Sequence, residues 1–132
     1  MADNAENALL VEPVFQKLRK NFRSHRTKSY EWRKAQLQAF LRGLDEMRGE
    51  FENAVLMDLG RSANATTGEL ACVKVAAQHD LKHMWTYMRD VVEETELVFA
   101  PAKSVVRHEP MGICGIYSAW NYPIMTALKP LV

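Results

Sequence analysis

The side chains of this sequence whose types and spacing could do chemistry are two cysteines, Cys72 and Cys114, two histidines four residues apart, His79 and His83, and Asn121, set between Trp120 and Tyr122-Pro123. His79-Asp80-Leu81-Lys82-His83 puts two imidazoles on one helical face with an acidic residue second, the outline of a metalloprotease zinc helix. The acid is Asp rather than Glu, no third ligand suggests itself, and both rings fall about 200° around a helix from Leu81. They therefore lie opposite the apolar stripe, and a solvated face without metal is expected. Cys114 sits between Ile113 and Gly115 in an apolar stretch and Cys72 inside a helical one, so packing is expected of both, and no disulfide. Asn64-Ala65-Thr66 matches a glycosylation acceptor, but no secretory signal accompanies it. Asn121, taken alone, turns the chain ahead of an aromatic-proline pair.

The elements that must position these residues follow from periodicity. Val11, Val14, Phe15, Leu18 and Phe22 recur at helical spacing, with Pro13 expected in the first turn. Ser29 is a candidate N-cap with Glu31 behind it, and Leu37, Phe40, Leu41, Leu44 and Met47 continue a stripe toward Gly49. Phe51, Val55, Leu56 and Leu59 form the next helix, ended by Gly60. Thr66 to Glu69 has the form of a capping box, opening a helix with Leu70, Val73, Ala77, Leu81, Met84, Trp85 and Met88 on one side. Glu96 to Phe99 and Lys103 to His108 read as strands. Glu109-Pro110-Met111-Gly112 is a turn into an apolar strand through Ser118, of the kind buried in a parallel sheet, and Tyr122-Pro123 opens a further helix. Within the chain that helix finds no docking surface. The expected class is α/β: an N-terminal helical segment over residues 1–94, bridging strands over 95–111, and over 112–132 the first βα unit of a dinucleotide-binding domain. Tyr117, Ser118, Ala119 and Trp120 then lie at the carboxyl end of a strand, where open α/β sheets place cofactors.

Composition excludes several partners. The net charge is +1, and the basic cluster Lys17-Arg19-Lys20-Arg23-Arg26-Lys28 is diluted by apolar residues, so no nucleic acid is expected. The polar, acidic N-terminus is no signal peptide, and no apolar run reaches the roughly 18 residues of a membrane span. An intracellular, cytoplasmic setting is expected; these residues leave membrane association through any other segment undetermined.

Glu109-Pro110-Met111-Gly112, Trp120-Asn121-Tyr122-Pro123 and Leu128-Lys129-Pro130-Leu131-Val132 together resemble the opening of the cofactor-binding domain in NAD(P)-dependent aldehyde dehydrogenases, especially the class 3 or fatty-aldehyde type. Phe22-Arg23-Ser24-His25-Arg26-Thr27, Trp32-Arg33, Gln36-Leu37, and Asp58-Leu59-Gly60-Arg61-Ser62 with Glu69 resemble the preceding segments of that branch. His25 stands where the pattern usually has Gly, Ser29 where it often has Pro, and Ser118 where it usually has Gly. The resemblance covers nearly the whole chain but about the first quarter of such an enzyme. It implies oxidation of an aldehyde to a carboxylic acid with NAD or NADP through a cysteine thiohemiacetal, in a homodimer. It further implies that Asn121 donates to the aldehyde oxygen and that Tyr117, Ser118, Ala119 and Trp120 line the nicotinamide-ribose side. The nucleophile lies in a later segment, so the isolated chain is expected to be inactive. The competing expectation is a non-catalytic interaction module that docks on a full-length relative through its strands.

Overall fold

The structure, a computed structural model, describes the backbone of residues 2–132 and the side chains of residues 11–132. Four helices dominate it: α1 (Ala2–Arg23), α2 (Tyr30–Glu46), α3 (Arg48–Leu59) and α4 (Ala63–Met88). A short antiparallel pair, β1 (Val91–Glu93) and β2 (Ser104–Val106), and a six-residue helix, α5 (Pro123–Leu128), follow.

Local chemistry sets most of the boundaries. Ser29 caps α2 as its sequence context predicts, its hydroxyl accepting from the Trp32 amide at 3.2 Å. Gly60 ends α3 in the left-handed region at φ 64°, donating its amide to the Leu56 carbonyl at 2.9 Å. His25 takes a similar conformation, φ 59°, between α1 and the 3-10 turn Arg26–Lys28, a backbone that glycine adopts without a Cβ penalty. Pro13 lies in the interior of α1 rather than in its first turn, because the helix begins at Ala2. Val11, Val14 and Leu18 on that helix are exposed.

The core forms where α2, α3, α4 and α5 meet: Leu44, Val55, Leu70, Val73 and Ile124, with Phe40, Phe51, Leu59 and Leu128 packed against them. The apolar stripes thus point inward, with exceptions at their margins. Leu56 and Trp85 are exposed, and Trp85 instead meets Tyr30 edge to face at 5.6 Å. Docking of α5 through Ile124 corrects the expectation that this helix lacks a surface to pack on.

Three further expectations are overturned. The helix carrying Thr66 starts earlier, at Ala63 after Ser62, so Thr66 and Glu69 do not form its capping box; both are buried. Residues 97–99 form a 3-10 turn rather than a strand, and β2 pairs with Val91–Glu93, in the register Val91↔Val106 and Val92↔Val105. That pairing is fastened at both ends, by the Ser104 amide donating to Thr95 Oγ1 at 2.7 Å and by Arg107 gripping the carboxylate of Asp90. Leu97 and Val98, left between the strands, are exposed. Finally, residues 113–118 form no strand, and no parallel sheet exists among the described residues. A strand exists only by virtue of its ladder partner, and residues 113–118 pair with neither β1 nor β2. The expected class is thus met in part: the described residues form the N-terminal helices and one two-stranded antiparallel sheet, in a mostly helical architecture, while the strand of the expected βα unit is absent from them.

Candidate functional site

Asn121 lies in the turn that delivers the chain into α5, and the side chains of Glu69, Arg61 and Thr126 hold that turn. Proline at the first position of α5 has no amide to satisfy, which leaves the next two N–H groups as the orphan donors of the helix start. Tyr122, at the capping position, offers no side-chain bond. The carboxylate of Glu69 on α4 takes the role instead: its Oε2 accepts from the amides of Ile124 and Met125, each at 3.1 Å. Its Oε1 accepts from Arg61 at 3.2 Å, and the Glu69 side chain is only 3% exposed. The Arg61 guanidinium lies 4.6 Å from the centroid of the Tyr122 ring, a cation–π contact next to Asn121. One turn into α5, the Thr126 hydroxyl lies 3.0 Å from the carbonyl oxygen of Ala119 and 2.8 Å from that of Tyr122, on either side of Asn121.

Asn121 itself is exposed, and its side chain makes no hydrogen bond among the described residues, leaving its amide donor free. Tyr117, Ser118, Ala119 and Trp120 lead into the turn as an exposed, irregular segment rather than the end of a strand. Trp120 borders an open, apolar groove of about 360 Å³ whose other walls include Phe51, Leu59, Ile124 and Leu128. Asn121 is thus flanked in the chain by two residues that line an apolar concavity, Trp120 and Pro123, while not lining it itself.

The other chemistry-bearing residues lie elsewhere. Cys72 and Cys114 are both exposed, which corrects the expectation that they pack. Cys72 faces outward from α4, and Cys114 loses its cover with the strand that does not form. The His79 and His83 rings lie 4.2 Å apart, with His79 Nε2 3.2 Å from the Tyr87 hydroxyl. Among the described residues no group of three or more potential metal ligands forms. A second concavity, of about 380 Å³, is lined by Lys28, Arg33, Asp90, Arg107 and Glu109. Its charges answer one another, Lys28 facing Glu109 at 4.0 Å and Arg107 holding the Asp90 carboxyl below the usual carboxylate range. No helix among the described residues is long and apolar enough to cross a membrane.

Glu69 is the site residue that local reading of the sequence misassigned, since it gave Glu69 to the start of its own helix, and Arg61 is one to which that reading gave no role. The signal that could have found them is the spacing of Glu69 with Thr66 and Val73, which places a carboxylate on the buried face of α4, where it requires a partner.

Residues 4–132 match the sequence profile of the aldehyde dehydrogenase family. The chain is 34% identical over 128 residues to aldehyde dehydrogenase family 3 member I1, chloroplastic, of Arabidopsis thaliana, covering 96% of this chain and 22% of that protein. It is 30% identical over its whole length to a family 3 aldehyde dehydrogenase of Dictyostelium discoideum, covering 28% of it. It is 34% identical over 92% of its length to family 3 member B1 of Mus musculus, covering 26%. The chain thus spans about a quarter of the length of the curated relatives it matches.

Proposed function

The chain belongs to the aldehyde dehydrogenase family, and from that premise we propose that it contributes the oxyanion-stabilising Asn121 to an enzyme that oxidises an aldehyde to a carboxylic acid with NAD or NADP. The observation that supports this is the free side-chain amide of Asn121, on a turn fastened by Glu69 and Thr126 beside an apolar groove. In the reaction, a cysteine thiolate adds to the aldehyde carbon and negative charge develops on the aldehyde oxygen. Asn121 donates to that oxygen. Such a donor lowers the barrier because its bond strengthens as charge builds, not because it binds the neutral aldehyde well. Hydride loss converts the thiohemiacetal to a thioester, which activated water hydrolyses.

Tyr117, Ser118, Ala119 and Trp120 form one wall for the cofactor. Two exposed aromatic faces and a free hydroxyl fit the nicotinamide-ribose end, and nothing in this segment selects between NAD and NADP. When bound, the dinucleotide serves as hydride acceptor. Neither Cys72 nor Cys114 serves as nucleophile: Cys72 projects from the outer face of α4 and Cys114 precedes the Asn121 turn by seven residues. The nucleophile and general base belong to a part of the enzyme outside these residues. The reading includes a cytoplasmic homodimer bridged through the β1–β2 pair.

The test is aldehyde-dependent NAD(P)H formation. The 132-residue chain alone should give none. A graft in which it replaces the matching stretch of the Arabidopsis relative should be active, and Asn121→Ala in that graft should lower kcat by about 10²–10³. A kcat within about threefold of the parent graft would reduce Asn121 to a turn former.

A further inference from the structure

We propose that Glu69 is a positioning residue for Asn121, fixing the reactive turn from 52 residues upstream through the start of α5. The inference rests on the reading of Asn121 as the oxyanion donor. Three observations carry it. First, both carboxylate oxygens of Glu69 are engaged, one by the Ile124 and Met125 amides and the other by Arg61, so the group has no freedom to rotate without losing partners. Second, α5 is six residues long and cannot define its own position, because a helix of that length is unstable by itself. Its place is set by what holds its ends, and its start is held by a buried charge on the long helix α4. Third, the hold reaches Asn121 by short links: the Thr126 hydroxyl, one residue beyond Met125, lies within donating distance of the carbonyls of Ala119 and Tyr122 and shares its one hydrogen between them, and Arg61 lies over the Tyr122 ring.

A carboxylate with no other task would be an expensive way to fill this space. Charge burial is tolerated where the charge is paired and hydrogen-bonded, and here both oxygens are engaged by groups bordering one turn. An oxyanion donor requires that rigidity, since its benefit depends on its already standing where the charge will appear. Glu69 touches neither substrate nor cofactor in this arrangement; it acts through Asn121.

The experiment is a double-mutant cycle in the active graft, with amide exchange on the 132-residue chain as a structural control. Glu69→Ala should lower kcat about tenfold, while KM for the dinucleotide stays within about threefold. In the Asn121→Ala background the same change should cost less than about twofold, because the group it positions is gone. Glu69→Gln, whose amide oxygen still accepts from both N–H groups but whose NH2 meets the Arg61 donor, should recover part of the loss, and the remaining part carries the cycle if the alanine variant does not fold. In the chain itself, Glu69→Ala should speed exchange of the Ile124 and Met125 amides and shift the Asn121 side-chain amide resonances. Equal losses in both backgrounds, or a parent-like kcat for Glu69→Ala alongside a slow Asn121→Ala, overturn the positioning role and leave the reading of Asn121 intact. A parent-like Asn121→Ala overturns both.

Discussion

The Arg61 guanidinium lies over the ring of Tyr122 at 4.6 Å while one of its N–H groups binds Glu69 at 3.2 Å, so a single side chain ties the connection after α3 to a buried charge and to the turn before α5. Removing it leaves the Glu69 carboxylate buried with one partner fewer. Arg61→Ala should therefore destabilise the chain by about 2–3 kcal/mol, more than the loss of an exposed ion pair, as measured by urea unfolding. A change below about 0.5 kcal/mol would show that water replaces the guanidinium without penalty.

The core makes a contrasting prediction along one helix. Leu70 is 3% exposed and Val75 is 65% exposed, both on α4. Leu70→Ala should cost about 3 kcal/mol, and Val75→Ala no more than about 0.5 kcal/mol. Equal effects would place the buried face of α4 elsewhere.

At His25 the left-handed backbone carries a Cβ that glycine would lack. His25→Gly should stabilise the chain by about 0.5–1 kcal/mol despite the extra freedom glycine gives the unfolded state. Thermal unfolding of the two proteins decides it, and a lower Tm for the glycine variant would mean that the imidazole makes a compensating contact.

The strand pair should respond to acid. Arg107 donates two hydrogen bonds to Asp90 and holds its carboxyl below the usual value, and Asp90 in turn holds Arg107 above its own. A depressed carboxylate contributes its stability fully above the unfolded value of about 3.9 and loses it as pH falls through the lower folded value. The Val92 and Val105 amide resonances should therefore stay constant from neutral pH to about pH 4 and move below it. In Asp90→Asn that acid transition should disappear; its persistence would assign it to another carboxylate.

The thiols and the segment before the site can be checked together. With Cys72 and Cys114 both exposed, both should react with a water-soluble disulfide reagent in the folded chain. Amides of residues 113–118, which have no ladder partner, should exchange rapidly in a monomeric sample while those in the middle of α4 are protected. Protection of residues 113–118 in a monomer would show that the segment finds a partner within the chain.

What the sequence by itself determined is what neighbours in the chain decide. Ser29 and Gly60 mark helix ends because capping acts within a turn, and the stripes of α2, α3 and α4 are visible because helical spacing alone selects the face that Leu44, Val55 and Val73 bury. The Trp120-to-Pro123 motif placed Asn121 in a turn before a helix and pointed to the family. What only the tertiary structure decided depends on groups far apart in sequence. Residues 113–118 have the apolar content of a buried strand, yet strand identity requires a partner, and 91–93 rather than 96–99 pairs with β2. Glu69 shows the same reason most directly: three residues after Thr66 it reads as the cap of its own helix. Only the fold brings it to two amides 55 and 56 residues onward, where its charge is satisfied.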